Sequence, residues 1–371
     1  MQYKHDLIHT NIPITELESK IINTGLFNRL QYTTQTSASY FTFPSLKHTR
    51  YAHSLGTMHI AGQMFSNIVK NTDNQIIKKL YCDFEKVISH ILSKKYIEKI
   101  KNNGPLRSNI LSRIAKSTDS KLFLNEIVDA INLNNSTIYS QKLNIYQGTN
   151  SKQEKALYFL MLETIRVCGL LHDVGHMPFS HLMENVIQKT HANLKENVDS
   201  HIQITFLEKQ FYETAENYFA KDNPKPLHEL FGDKISEFIF SEILSFEYAK
   251  HVENMHIIEY LIQELVAFTF HERLIEGFDF KKLHVIIDGT IDADRLDYVQ
   301  RDIMHSGLNN IVSFNPEKLI SNISISEDYN LLFSSNLRID LENFLISRYE
   351  SYKDIIFHPK VVRTNTILEN Y

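Results

Sequence analysis

Apolar residues recur at the spacing of a helix face over 54–69, 156–171, 234–246 and 254–270. Two shorter stretches break that rhythm. Residues 39–43 are aromatic and extended in character, while Ile323–Ile325 and Leu331–Phe333 flank the turn-forming run Glu327-Asp328-Tyr329-Asn330 as hairpin arms would. The pattern predicts a mostly α-helical protein with a small β-hairpin and minor strands.

Between residues 71 and 155 the composition shifts to Lys, Asn, Ser and Ile, with turn-like clusters at Asn102-Asn103-Gly104-Pro105 and Gly148-Thr149-Asn150-Ser151. This reads as a helical and loop segment inserted into one domain that spans 1–371. Lys94, Lys95, Lys99 and Lys101 fall within it, but Glu98 interrupts them, so a solvated helix face accounts for them better than a nucleic-acid contact. A second polar run, 190–200, reads together with Asn223-Pro224-Lys225-Pro226 as a connection between helices. Residues 364–371 read as the start of a further helix.

At 43% hydrophobic residues in a chain of 371, a sizeable core is available. Lys and Arg total 39 against 44 Asp and Glu, a net charge of −5, so no global basic excess draws the protein toward nucleic acid or an anionic membrane. Cys82 and Cys168 are too little sulfur for a disulfide framework or a cysteine metal site, which points to the reducing cytoplasm. No uncharged apolar run reaches the roughly 18 residues of a membrane span.

Against that background, His53, His172, Asp173 and Asp294 are ligands of metal quality. Two imidazoles and two carboxylates suit one Mn, Fe, Ni, Co or Zn ion and leave coordination positions for water and substrate. Successive helix residues diverge by about 100°, so His172 and Asp173 can share an ion only where the helix ends or distorts. Gly175 and Pro178 follow at once. A lone histidine is more often structural, and the bare dipeptide recurs at His5-Asp6 with nothing nearby to suggest a site. The other four stand in longer blocks: His48-Thr49-Arg50-Tyr51-Ala52-His53-Ser54-Leu55-Gly56, then Gly169-Leu170-Leu171-His172-Asp173-Val174-Gly175-His176-Met177-Pro178-Phe179-Ser180-His181, then Ile291-Asp292-Ala293-Asp294-Arg295-Leu296-Asp297-Tyr298-Val299-Gln300-Arg301-Asp302.

These blocks, in this order, resemble the HD-domain deoxynucleoside triphosphate triphosphohydrolases, the family of the bacterial dGTPases and the mammalian sterile-alpha-motif and HD-domain dNTPase. Apart from 71–155, which is longer than the matching gap in many relatives, the resemblance covers most of the chain. It implies an HD-domain helical core in which His53, His172, Asp173 and Asp294 bind the metal, His176, His181 and His228 surround the α-phosphate, and Mg²⁺ accompanies the triphosphate. His181 and Glu184 stand at i and i+3, so on a helix the carboxylate can orient the imidazole as proton donor to the leaving oxygen. Relatives commonly carry Asp where Glu184 stands. His228-Glu229 resembles the family's His-Glu motif; His271-Glu272 repeats the dipeptide close before Asp294 and is read as structural.

Three phosphates call for cationic donors, and Arg50, Arg295 and Arg348 are the candidates. Arg50 and Arg295 flank the first and last ligands, and Arg348 stands in a segment that resembles the family's arginine-bearing helix. Tyr298 and Asp302 match positions that meet the sugar. Gln35 matches a glutamine near the 3′-hydroxyl, followed here by Thr36 where many relatives have Leu. Asn23-Thr24-Gly25-Leu26-Phe27-Asn28-Arg29-Leu30-Gln31 resembles the block Asp-Thr-Pro-x-Phe-Gln-Arg-Leu-Arg without its Asp and final Arg, which argues against a guanine activator of that design.

The resemblance therefore implies hydrolysis of a dNTP to deoxynucleoside and triphosphate by a cytoplasmic homo-oligomer, dimeric or larger. Its rivals are an HD phosphohydrolase acting on a monophosphate, a cyclic nucleotide or a nucleic-acid end, and a regulator that senses nucleotides without turnover.

Overall fold

A computed structural model describes residues 2–93, 151–200, 202–219, 226–245 and 253–370. The chain opens with a hairpin, β1 (Gln2–Asp6) and β2 (Thr10–Ile14), in which Gln2 pairs with Ile14 and Asp6 with Thr10. Two short helices follow, α1 (Glu16–Ile22) and α2 (Gly25–Asn28). The long helices are α3 (Arg50–Asn71), α4 (Asn74–Ile91), α5 (Lys152–Leu171), α6 (His181–Asp199), α7 (Phe206–Phe219), α8 (Leu227–Ser245) and α9 (Glu253–Phe270). A minimal hairpin, β3 (Leu274–Ile275) with β4 (Phe278–Asp279), and the single turn α10 (Lys281–His284) lead to α11 (Ala293–Ser306). Beyond it lie α12 (Pro316–Ser321), the hairpin β5 (Ile323–Ile325) and β6 (Leu331–Phe333), α13 (Arg338–Ser351) and α14 (Pro359–Glu369).

Helices α3 and α5 bury residues on nearly every face and form the centre of the molecule, with α4, α9 and α11 packed around them. Side-chain caps set where both central helices begin: Thr49 accepts from the Ala52 amide and Ser151 from the Glu154 amide. Arg166, fully buried on α5, donates to Glu18 on α1 at 2.6 Å and to the Pro13 carbonyl at 2.8 Å. That pair ties the first hairpin to the central helices, which matters for the site below.

The segment 71–155 begins as part of this core, because α4 buries Ile77, Leu80, Phe84, Val87, Ile88 and Ile91. Lys94, Lys95, Lys99 and Lys101 lie outside the described residues. The expected hairpin at Ile323–Ile325 and Leu331–Phe333 is present, with Ile325 paired to Leu331. Residues 39–43, by contrast, form no strand. The Ser39 amide donates to Thr36 and the Phe41 amide to Ala38, a 3₁₀ turn that buries Ala38 and Ser39. The polar run 190–200 is the second half of α6 rather than a connection; only His191 and Leu194 need burial there, and the rest faces solvent. Among the described residues, no helix is long and apolar enough to cross a membrane.

Candidate active site

Helix α5 stops at Leu171, and that stop lets two neighbours converge. The His172 amide still closes the last turn on Cys168 at 2.9 Å, after which Val174 and His176 donate back only three residues, to Leu171 and Asp173. His172 Nε2 thereby comes within 3.6 Å of Asp173 Oδ2. From α3, His53 Nε2 lies 3.5 Å from the same oxygen and 2.9 Å from Asp294 Oδ1 in the first turn of α11. His172 Nε2 is 3.5 Å from Asp294 Oδ1. His53, His172 and Asp173 thus bring ligand atoms within 4.8 Å of one another, and Asp294 Oδ1 faces both imidazoles from the start of α11.

The donor chemistry of this point fits a divalent cation. Both Nε2 atoms are buried without a hydrogen-bond partner, while each Nδ1 has one: Asp297 Oδ2 at 2.8 Å for His53 and the Gly169 carbonyl at 2.8 Å for His172. Those partners place the ring proton on Nδ1 and leave the Nε2 lone pair facing the carboxylates. Burial opposes charge on His53, but the Asp294 and Asp297 carboxylates on either side of the ring outweigh it and raise its pKa to about 10. The surroundings call for positive charge at Nε2. The C-terminal end of α5 adds partial negative charge on the same side.

Behind His53 lies a buried polar network that the sequence did not announce. Asp297 accepts from Arg301 Nε at 2.8 Å and faces His9 Nε2 at 2.7 Å, and Arg301 reaches Asp6 Oδ2 at 2.8 Å. The first hairpin therefore delivers Asp6 and His9 to the back of a ligand. His5-Asp6 had no motif around it, and its relevance comes from pairing with a residue nearly three hundred positions away. Gly56 is what admits Asp297: a Cβ there would sit 1.9 Å from Asp297 Oδ1.

The neighbouring wall carries three more imidazoles. His228 Nδ1 is 2.9 Å from Glu184 Oε1, His181 Nδ1 is 3.3 Å from it, and His176 Nδ1 is 3.6 Å away. His176 stacks on His228 with ring centroids 4.2 Å apart, and its Nε2 lies 3.3 Å from Asp173 Oδ1. Burial and the Arg50 guanidinium lower the His176 pKa to about 3, so that ring is neutral. Burial works against ionised Glu184, yet hydrogen bonds from His181 and His228 hold its carboxyl well below the usual range. His271 does not join this group; its Nε2 is 3.3 Å from Asp233.

Local backbone structure presents these rings. Phe179 and Ser180 both have positive φ, 63° and 53°, just before α6 begins at His181. Non-glycine residues hold such angles only when their surroundings enforce them. Here Ser180 Oγ donates to the Thr34 carbonyl and accepts from Arg50 Nε at 2.8 Å, and Arg50 also pairs with Asp173. Arg29 clamps the loop after the ligands, donating to the His176 carbonyl at 2.6 Å and to that of Val174. At Gly175 the loop touches α8, where a Cβ would fall 1.8 Å from the His228 carbonyl oxygen.

A cavity of about 1120 Å³ opens over both clusters. Gln35, Arg50, His172, Asp173, His176, His181, His228, Asp294, Tyr298 and Asp302 line it. His53 and Glu184 stand directly behind lining residues. His48 Nε2 is 2.7 Å from Asp302 Oδ1, and Arg348 Nε donates to the Tyr298 hydroxyl at 3.1 Å, so Arg348 meets the cavity wall from behind. Arg295 is turned away; its guanidinium is engaged by Asp292, Asp288 and the Gly289 carbonyl.

The chain is 23% identical over 364 residues to an HD domain-containing protein of Acanthamoeba polyphaga mimivirus, covering 98% of this chain and 55% of that one. A stretch of 62 residues is 42% identical to the deoxynucleoside triphosphate triphosphohydrolase of Gallus gallus, covering 17% of this chain and 10% of that protein. In fold it is similar to a phosphohydrolase from Bacteroides thetaiotaomicron, with a TM-score of 0.54 at 17% identity over 100% of this chain and 58% of that one. The chain spans about half the length of the curated relatives it matches over its whole extent. The HD domain family model matches residues 133–302, a range that holds His172, Asp173 and Asp294, with His53 supplied from outside it. Over residues 133–302, this chain is similar to the HD domain family.

Proposed function

We propose that the chain is a metal-dependent dNTP triphosphohydrolase that breaks the bond between the α-phosphorus and the 5′-oxygen, releasing deoxynucleoside and triphosphate. The observation that carries this reading is the meeting of two donor sets on one cavity: His53, His172, Asp173 and Asp294, and beside them three imidazoles around Glu184. A cation held by the first set would act as Lewis acid and bring the pKa of water down toward ~7.

The protein's own groups do the rest. Asp297 and the Gly169 carbonyl keep the two ligand rings in the tautomer that offers Nε2. Glu184 holds His181 by Nδ1, which leaves Nε2 of this exposed ring to hand a proton to the 5′-oxygen as it leaves. His228 stacks on His176 beside it and offers Nε2 to the α-phosphate, while His176, whose Nε2 faces Asp173, lines the wall as a neutral ring. Tyr298, Gln35 and Asp302 form the wall for the sugar. Arg50 is braced against Asp173 and Ser180, Arg348 stands one hydroxyl behind the wall, and Arg295 would reach phosphate only by giving up Asp292. Mg²⁺ would accompany the triphosphate. The short stretch shared with the Gallus gallus enzyme supports the substrate class.

The test is to incubate purified protein with each dNTP and Mn²⁺ or Mg²⁺ and identify the products. Tripolyphosphate and deoxynucleoside are expected; pyrophosphate or orthophosphate would reject the bond. One observation favours a second reading with ribonucleotides. The Thr36 hydroxyl is buried in the cavity wall without a partner, where it can meet a 2′-hydroxyl.

A further inference from the structure

One oxygen of Glu184 faces more imidazoles than its two lone pairs can pair with. Oε1 lies 2.9 Å from His228 Nδ1, 3.3 Å from His181 Nδ1 and 3.6 Å from His176 Nδ1. The first two rings donate to it. His176 does not: its Nε2 lies 3.3 Å from Asp173 Oδ1, which places the ring proton there and leaves Nδ1 as a bare lone pair. That Nδ1 is buried, on a residue only 2% exposed, and has no hydrogen-bond partner. A lone pair facing a carboxylate oxygen across a buried gap is unfavourable until something positive stands between them. The nearby Arg50 guanidinium is paired with Asp173 and does not fill that need.

The spacing of these atoms suits a tetrahedral ion. Zn²⁺ bound at about 2.0–2.1 Å sets neighbouring ligand atoms about 3.3 Å apart. The three imidazoles and Glu184 bring one ligand atom each to within 4.8 Å of one another. His176 and His228 cannot both ligate, because their rings are 8° from parallel with centroids 4.2 Å apart, and one ion cannot lie in both planes. His181 is turned 90° from His176, as two corners of a tetrahedron permit. His228 then keeps its Nδ1 proton on Glu184 and orients the carboxylate.

We infer that His176 Nδ1, His181 Nδ1 and Glu184 Oε1 form a second metal site that takes Zn²⁺ and, when filled, switches the reaction off. All three imidazoles line the cavity, so the ion enters from solvent and a water completes its fourth position. Two nitrogens and one carboxylate at tetrahedral spacing favour Zn²⁺ over Mg²⁺, which demands octahedral oxygen ligands. Binding exchanges a proton for the ion. Zn²⁺ takes the Nδ1 lone pair of His181, the Nδ1 proton leaves to solvent, and the ring retains Nε2–H alone. A ring in that state has no proton to spare for a leaving 5′-oxygen. The site itself is independent of the nucleotide reading above, and only its inhibitory effect rests on that reading.

Zn²⁺ binding would be counted by equilibrium dialysis for the wild-type chain, Glu184→Gln and His181→Ala, with His271→Ala as control, since His271 faces Asp233 instead. His181 has a side chain 67% exposed, so its removal leaves the packing intact. The wild type should bind a second equivalent beyond the one held by His53, His172, Asp173 and Asp294. Both cluster variants should weaken that equivalent by more than about 100-fold, because losing a ligand costs more than losing a partner behind one. His271→Ala should retain it. With Co²⁺ in place of Zn²⁺, the second equivalent should bring the strong visible absorption of a four-coordinate ion. A second equivalent that survives both variants, or none in the wild type, overturns the site. Tripolyphosphate release from dNTPs in Mn²⁺ should fall by about 100-fold as the second equivalent fills, and return on chelation. Turnover that stays constant while it fills overturns the inhibition. If Zn²⁺ binds as expected while no dNTP yields tripolyphosphate at any zinc level, the second site stands and the proposed reaction fails.

Discussion

Asp297 Oδ2 lies 2.8 Å from His53 Nδ1, on the edge of the ring opposite the one that faces Asp294. The carboxylate is itself held by Arg301, at 2.8 and 2.9 Å, and faces His9. A ligand ring is thus fixed in tautomer and orientation by a group that never touches the cavity, and the first hairpin fixes that group in turn. Burial opposes charge on Asp297, but the adjacent Arg301 holds its carboxyl well below the usual range.

Replacing Asp297 with Asn keeps the shape but removes the charge that orients His53. Metal affinity should fall by about 10–100-fold, the usual cost of losing a partner behind a ligand. Chelator-competition titration with Mn²⁺ or Co²⁺ measures it, and an unchanged affinity would disconnect Asp297 from the metal set.

A methyl group at Gly56 has nowhere to go except into Asp297 and Arg301, whose nearest atoms would lie 1.9 and 2.7 Å away. Gly56→Ala should cost about 1–3 kcal/mol of stability through overpacking. Urea denaturation checks this, and a midpoint equal to that of the wild type would show that the two side chains yield freely.

His59 on α3 has a buried, unpartnered Nδ1, and burial, with His9 and Arg166 nearby, lowers its pKa to about 3. The folded protein keeps this ring neutral, whereas the unfolded chain takes up a proton near pH ~6.5. The unfolded state then binds more protons between those values, so stability is full above about pH 6.5 and declines as the pH falls toward 3. Relative to His59→Gln, which cannot titrate there, the wild type should lose up to about 2 kcal/mol between about pH 6.5 and pH 5. Parallel pH curves for the two proteins would refute the assignment.

Thr36 is 6% exposed and lines the cavity beside Gln35. If its hydroxyl meets a ribose, Thr36→Leu should raise the ratio of dNTP to rNTP turnover by roughly tenfold, since it removes a polar partner and adds bulk. Competition assays with paired dNTP and rNTP give this ratio directly; a ratio that stays constant would move sugar selection to another residue.

How much of this was legible beforehand depends on the range over which each feature is encoded. The helices α3, α5, α8 and α9 repeat apolar residues along their own length, so their existence could be read locally. The β5 and β6 hairpin carries its turn chemistry between its arms. The end of α5 at the His172-Asp173 pair was foreseeable too, because two adjacent ligands cannot share an ion on a regular helix. The first hairpin was not legible: β1 is polar, and the buried apolar residues of the pair, Ile12, Pro13 and Ile14, all lie on β2.

Ligand-quality residue types, their order and the long helices are properties of the chain read in one dimension. Packing alone turned Arg295 toward Asp292 and brought Asp6 and His9 behind His53. Each of those outcomes depends on side chains from separate elements meeting in space. Periodicity reports only which face of one element is buried, and it carries no record of which distant polar group will arrive there.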